Sequence, residues 1–536
     1  NYSFLDGASH PEELATEAAR LGLEALALTD HNGFYGVVRF AEAARAVGLP
    51  TVFGAEITLA SGLADDCHVA RTEGDTMFQV DTRKVPDSHA PDPDGRHLLV
   101  LADGPAGYAR LARALSLGHL AGEKGAPQFT FGDVADVVSG VSWVLTGCRK
   151  GAVPRALFDH GPSAARRELE KLVSAFGRDR VLVELWDHGD PIDSARNDAL
   201  VEIAHRVGVE SVATNNVHYA TPTQRKLAAA IAAVRARCSL DEIDPWLPGA
   251  SGAHLRSGVE QSRRFARYPG VVELAGEIGR AAAFDLSLVA PNLPPFPCPD
   301  VDGRPMSEIQ FLRQLTEQGG RRMYGERPDA GEDLSTRARA WNTIDRELSI
   351  VEQLGFPGYF LVVWDLVEFC RRSNIFCQGR GSAANSAVCY ALSITKADAV
   401  SLGLLFERFL STERDGPPDI DIDIESGRRE EVIQYVYGRY GRHHTAQVAN
   451  VITYRARSSI RDMAKALGHS TGQQDAYAKQ IDGWGGIETT AAQPECTIPA
   501  DVLDLAAQIE DAPRHLGIHS GGMVICDRPV IEVCPV

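Results

Sequence analysis

The segment Pro418-Asp419-Ile420-Asp421-Ile422-Asp423-Ile424 leaves its backbone few options. Acid and isoleucine alternate strictly, and a β-branched residue at every second position suits a pleated strand. As a strand it sets three carboxylates on one face and three isoleucines on the other, with same-face neighbours about 7 Å apart. The isoleucines require an apolar core behind them. The carboxylates repel one another unless a cation lies between them. A pair of Mg²⁺ ions about 4 Å apart, clamping a phosphoryl group, would relieve that repulsion. The plainer alternative is an edge strand with a solvated acidic face.

The rest of the chain can supply such a core. Its 536 residues are 44% hydrophobic and 24% charged, the balance of a soluble globular protein of about three or four domains. The longest apolar stretch, Gly358 to Phe369, is interrupted by Asp365, which argues against a membrane span. The ten cysteines include no C-x-x-C pair, so reduced thiols of a cytoplasmic protein are expected rather than a zinc ribbon or disulfide scaffold. There is no signal peptide. Residue 1 is Asn, and the first residues read as the interior of a domain, so the chain is expected to begin inside a longer one. The net charge of −18 opposes general nucleic-acid binding. From Arg439 to His469, however, six cations (Arg439, Arg442, Arg455, Arg457, Arg461, Lys465) face one acid, Asp462. Such a stripe suits a phosphate-tracking groove, or else a solvated helix face.

Residues 1–285 alternate strands and helices. Strands are predicted at Glu24–Thr29, Thr51–Leu59, His97–Ala102, Ser142–Leu145, Val181–Leu185 and Glu210–Thr214, with helices between them such as Tyr35–Val47, Ala106–Leu117, Ala164–Phe176 and Ser194–Val207. The rhythm implies a parallel sheet or βα barrel. Functional groups gather at the C-terminal ends of barrel strands. Asp30-His31, Glu56, Cys148, Asn216 and His218 stand at or just past such ends. Asp30-His31, Glu56, His97, Cys148 and His218 form a donor set suited to Zn²⁺ or Mn²⁺, although any one of them alone is more often a structural hydrogen-bonding group. The acid-rich Ala64–Arg96 segment reads as a surface insertion. The prolines of residues 291–305 mark a domain boundary. A helical stretch, Met306–Phe356, follows it, then a compact α/β region at about 357–465. The last section reads as mostly helical and ends in His519-Ser520-Gly521-Gly522-Met523-Val524-Ile525, a glycine turn entering a strand.

A second motif, Gly379-Arg380-Gly381-Ser382-Ala383-Ala384-Asn385-Ser386, follows an apolar strand (Asn374–Gln378) and is predicted to open a helix over Ser382–Leu392. Strand, glycine turn and helix start make an anion cradle, with Arg380 as a cation and Ser382 as a hydroxyl. Alone it reads equally as a tight turn. Beside the acidic strand, with Arg408 and Arg414 on its approach, it supplies the parts that nucleotidyl transfer needs.

At these motifs the sequence resembles the bacterial C-family DNA polymerases, the alpha subunits of DNA polymerase III and their error-prone paralogues. G-R-G-S, P-D-x-D-x-D and H-S-G-G-M occur in the family's order and spacing across essentially the whole chain. Gln447–Arg455 and Asn1–Ser9 look more like the error-prone paralogue. The resemblance implies an α/β multidomain protein. A βα barrel-like PHP domain (1–285) and a Pro-rich linker (286–305) would precede a Pol-β-like nucleotidyltransferase palm with helical thumb elements (306–465) and the start of the fingers (466–536). It implies two Mg²⁺ ions on Asp421 and Asp423, with Asp419 supporting. Gly379, Arg380, Gly381 and Ser382, with Arg408 and Arg414, would take the nucleotide's phosphates, and the basic stripe would take DNA. The PHP metal positions fall on Asp6, His31, Glu56, His97, Cys148, Asn216 and His218.

Two departures are expected. The family's His-x-His pair would precede residue 1, and Asn216 stands where metal-binding relatives carry Asp, which puts full metal loading and proofreading in doubt. The third catalytic carboxylate would follow Val536. The implied activity is template-directed, error-prone DNA synthesis in the DNA damage response. Primer-template DNA, dNTP and accessory proteins of a polymerase complex, a sliding clamp or mutasome-type factors, would be the partners. The alternatives are a replicative alpha subunit, a PHP phosphoesterase or 3′ exonuclease on a binding platform, and a PHP domain that serves only to pack.

Overall fold

A computed structural model describes residues 1–59, 95–248, 250–301, 303–328, 335–410, 420–481 and 486–536. Asp419, Arg414 and most of the Ala64–Arg96 segment lie outside these. The chain forms two compact units. The first comprises residues 1–290, 449–518 and 531–536, and the second residues 291–448 and 519–530. The break at 290/291 falls where the proline run begins.

The first unit is built on a six-stranded sheet: β1 (Leu26–His31), β2 (Thr51–Leu59), β3 (Arg96–Ala102), β4 (Ser142–Leu145), β5 (Val181–Leu185) and β6 (Glu210–Ala213), side by side in that order. The pairs β1–β2, β4–β5 and β5–β6 are parallel. Strand β3 is antiparallel to both neighbours, so the sheet is mixed rather than uniformly parallel, and no ladder joins β1 to β6 among the described residues. The strands are apolar at nearly every position because both faces are covered. Alternation sorts them. Phe53, Ala55 and Ile57 of β2 and Val181, Val183 and Leu185 of β5 enter the larger core. Val52, Leu101, Leu145, Leu182 and Val212 point to the other face, closed by Ile278 and Ala282 of helix Val271–Ala282. By the same alternation Glu56, His97 and Glu184 belong to this second face. Their polar groups extend an otherwise apolar surface. A further core joins helix Arg225–Ala236 to helices Ala456–Ala466 and Ala500–Ile509.

In the second unit three helices, Glu308–Tyr324, Thr336–Gln353 and Pro357–Arg372, surround Trp341, Ile344, Leu348 and Phe360. Ser307 and Ser335 cap the first two, each hydroxyl accepting a backbone N–H. A two-stranded antiparallel ladder, β7 (Cys377–Arg380) and β8 (Asp421–Ile424), lies against them. Ile420 and Ile422 pack into that core, and Ile424 packs with Cys370, Ile375 and Val432. Strands β9 (Thr445–Thr453) and β10 (Pro513–Ile525) pair with each other. The His519–Ile525 segment is therefore the second half of a 13-residue strand rather than a turn at its entry. No disulfide joins two of the described cysteines. No single helix among the described residues is long and apolar enough to cross a membrane.

Candidate functional site

Two clusters carry chemistry, one in each unit. In the first unit a cavity of about 260 Å³ touches Asp6, His31, Glu56, His97, Cys148, Asn216 and His218 together. His31 ends β1 and faces Glu56 across the β1–β2 ladder. Because β3 runs antiparallel, His97 stands near its start and still reaches the end of the sheet where β1 finishes. Cys148 and His218 follow β4 and β6. Asn216 also follows β6, in the left-handed region (φ 43°), which an Asn tolerates.

The geometry divides this cavity at His31, whose Nε2 lies 3.3 Å from Asp6 Oδ2 and 3.8 Å from Glu56 Oε2. On one side His31, Glu56 and His97 each offer a donor atom within 4.8 Å of the others. A His97 ring nitrogen contacts the Glu56 carboxylate directly, and the Cys148 thiol donates to it at 3.5 Å. Burial opposes ionisation of Glu56, but the His97 and His31 contacts outweigh it and hold its carboxyl well below the ordinary range. Burial, with Glu56 adding to it, pushes the Cys148 thiol well up, so it is a neutral thiol here. The ring nitrogens His31 Nδ1 and His97 Nε2 are buried without partners. Two imidazoles and a carboxylate are a borderline donor set that fits one Zn²⁺ or Mn²⁺.

On the other side Asp6 is already matched. Its carboxylate contacts the His218 ring at 2.8 Å and pairs with the buried Arg235 guanidinium. Burial again opposes ionisation, and Arg235 followed by His218 overcomes it, holding Asp6 well below the usual range. Asn216 is neutral. A resident cation thus stands beside one of the expected ligands. Arg235 carried no metal-ligand pattern in the sequence, but it is a lone arginine on a buried, alanine-rich helix face, and that was the available signal. Glu184, alone among the apolar residues of β5, was readable in the same way.

In the second unit β8 keeps the expected alternation. Asp421 and Asp423 are exposed, while Ile422 and Ile424 are half-buried. Asp421 lies opposite Arg380, and Asp423 opposite Gln378. The Arg380 guanidinium reaches both acids, with Nε donating to Asp423 Oδ1 at 2.9 Å and Nη2 lying 3.8 Å from Asp421 Oδ2. Gly379 donates its N–H to Ile394 at 2.6 Å, and a Cβ there would lie 2.7 Å from that carbonyl oxygen, so only glycine fits. Gly381, at φ 66°, makes the turn.

The predicted helix over Ser382–Leu392 is replaced by a 3₁₀ turn, Gly381–Asn385, followed by a short helix, Ala387–Ala391. The first N–H groups of that short helix are taken. Those of Ala387 and Val388 donate to the buried Glu347 at 2.9 Å each, and that of Cys389 donates to Ser386 Oγ at 3.0 Å. The helix start is therefore not an open anion site. Arg408 ends the short turn Phe406–Arg408.

The six cations of the basic stripe do not gather in one unit. Arg439 and Arg442 belong to the second unit, where Arg439 lies 3.5 Å from Asp365 and Arg442 donates to Gln434. The other four belong to the first, where Arg455 pairs with Asp511, Arg461 with Asp475, and Arg457 donates to the Ile481 carbonyl; Lys465 lies in the last turn of the same helix.

Residues 1–188 match the PHP domain, and residues 310–536 match the bacterial DNA polymerase III alpha NTPase domain. Along its whole length the chain is 55% identical to the error-prone DNA polymerase of Mycolicibacterium paratuberculosis and 54% identical to that of Nocardia farcinica. The chain thus carries, in order, a segment matching the PHP domain and one matching the bacterial DNA polymerase III alpha NTPase domain, and it is similar to error-prone DNA polymerases throughout. It spans about half of these relatives, 46% and 47% of their lengths. Among solved structures, an amidohydrolase from Chromobacterium violaceum is similar over 40% of this chain and 84% of its own, at 18% identity and a TM-score of 0.26.

Proposed function

We propose that this chain carries the nucleotidyl-transfer centre of a template-directed DNA polymerase of the error-prone, translesion type. The observation that carries the reading is the β7–β8 ladder, which sets Asp421 and Asp423 on one exposed face with the glycine turn and Arg380 directly across. In this reading the second unit contains the palm. The primer 3′-hydroxyl attacks the α-phosphate of a dNTP and pyrophosphate leaves. Asp421 and Asp423, hard oxygen donors side by side, would hold the catalytic ions, with Asp419 in support. Two Mg²⁺ ions, when bound, supply the positive charge that acidifies the hydroxyl and stabilises the leaving group. Arg380 would exchange its carboxylate partners for triphosphate oxygens, which suits a planar guanidinium. The N–H groups of Gly381 and Ser382 would orient the phosphates behind Gly379, with Arg408 and Arg414 in support. Arg439, Arg442, Arg455, Arg457 and Arg461 would meet the DNA backbone after giving up their present partners, with Lys465 beside them in sequence.

The first unit is assigned one divalent ion on His31, Glu56 and His97 and a packing role. Arg235 on Asp6 and the neutral Asn216 weigh against a multi-metal phosphoesterase. Primer extension by the full-length protein tests the main reading. Asp421→Ala or Asp423→Ala is expected to lower it by about a thousandfold, the loss of several kcal/mol of charge stabilisation. Extension persisting in either variant would overturn the assignment.

A further inference from the structure

Glu347 sits on helix Thr336–Gln353 within the stripe Trp341, Ile344, Leu348 and Val351, where an apolar residue would be expected, and it is 1% exposed. A carboxylate is costly there and is retained only with full hydrogen bonding. It has that. The Ser386 hydroxyl and the Val388 N–H both donate to Oε2, at 2.7 and 2.9 Å, and the Ala387 N–H donates to Oε1 at 2.9 Å. All three donors begin where the glycine turn ends. The other end of the turn is tied by the β7–β8 ladder and by the Gly379 bond to Ile394. Between the two anchors Asn385 donates its side-chain N–H to the Ser382 carbonyl at 3.0 Å.

Resting on the polymerase reading above, we propose that Glu347 is a positioning residue. By taking up the first N–H groups of the short helix and the Ser386 hydroxyl, it fixes residues 381–386 in the arrangement that receives the incoming triphosphate. The carboxylate touches no substrate. It also occupies the helix start, so the triphosphate is directed to the 3₁₀ turn and Arg380 instead. The consequence belongs to nucleotide affinity, not to the chemical step or to the grip on DNA.

The test is steady-state primer extension by the full-length protein, with KM for dNTP, KM for primer-template and kcat read separately. Glu347→Ala leaves three buried donors unanswered and is expected to raise KM for dNTP about tenfold or more, with KM for primer-template unchanged. Glu347→Gln keeps the size and one acceptor oxygen and should recover part of that loss. Ser386→Ala, which removes one donor, should move KM for dNTP the same way by less. A merely structural role would reduce the folded fraction, lowering kcat at constant KM for dNTP, and that outcome overturns the proposal. If Glu347→Ala does not fold, an unchanged KM for dNTP in both Glu347→Gln and Ser386→Ala overturns it. Asp423→Asn, run alongside, separates the two questions, because extension surviving there sinks the polymerase reading whatever Glu347 does.

Discussion

Glu184 offers a direct measure of how the sheet tolerates charge. It is 3% exposed on β5, with the Thr214 hydroxyl donating to one oxygen and no partner on the other. Burial, opposed by the Thr214 bond and reinforced by the charge of Glu56, lifts its pKa from 4.5 to about 7. The folded state therefore binds more protons than the unfolded state between those values, and stability falls as pH rises from about 4.5 to 7 and stays lower above. A rise of about 2.5 units at 1.36 kcal/mol each gives a loss of about 3 kcal/mol, most of it between pH 5 and 8. Glu184→Gln cannot ionise and escapes that loss. The assay is urea unfolding of both proteins at pH 5 and pH 8, followed by tryptophan fluorescence, with chelator present to keep cations off the neighbouring Glu56. Trp186, buried just past the end of β5, is the reporter. The stability gap between Gln and Glu should widen in favour of Gln by roughly 2–3 kcal/mol from the lower pH to the higher. A gap that is the same at both pH values would show that Glu184 does not titrate in this window and would refute the reasoning.

Two further outcomes are expected. Arg235→Met leaves the Asp6 carboxylate buried beside His218 without its cation, so thermal stability should fall by about 3–5 kcal/mol and the stabilisation conferred by added Zn²⁺ or Mn²⁺ should grow; an unchanged melting temperature would contradict the assigned pairing. Gly379→Ala drives a Cβ to 2.7 Å from a backbone oxygen that cannot swing away, so it should cost about 1–3 kcal/mol in a melt, whereas Gly427→Ala, with nothing within 4 Å, should stay within about 0.5 kcal/mol.

The strands of the first unit were legible in the sequence because burial on both faces makes each a continuous apolar run, and the observed bounds fall within about two residues of the expected ones. Direction was not legible. An apolar run such as His97–Ala102 reads the same parallel or antiparallel, and that choice places His97 at a strand start. Asp421 and Asp423 were legible because period-two alternation fixes their face regardless of partner. The helix start after Ser382 was misread for a tertiary reason. Locally, Ser382 resembles a cap, but Glu347, some forty residues away in sequence, selects Ser386 instead. Arg235 escaped notice because a pattern of metal ligands does not look for the cation that replaces a metal.

The two acidic clusters differ most in what it takes to open them. Arg235 is 5% exposed at the side chain, and removing it from Asp6 would strand a buried carboxylate, a cost of about 3–5 kcal/mol unless another cation arrives at once. Arg380 is 60% exposed, its partners Asp421 and Asp423 are 49% and 68% exposed, and an exposed pair of this kind is worth about 0–1 kcal/mol. Water replaces such a pair readily, so metal ions and a triphosphate can take over its three members with little to displace. The first cluster is held shut by its own arginine, whereas the arginine of the second can exchange partners. Turnover requires a site that binds, reacts and releases many times, and on that ground the proposed reading would place nucleotide chemistry on the β7–β8 ladder and leave the histidine-rich cavity the part of holding an ion.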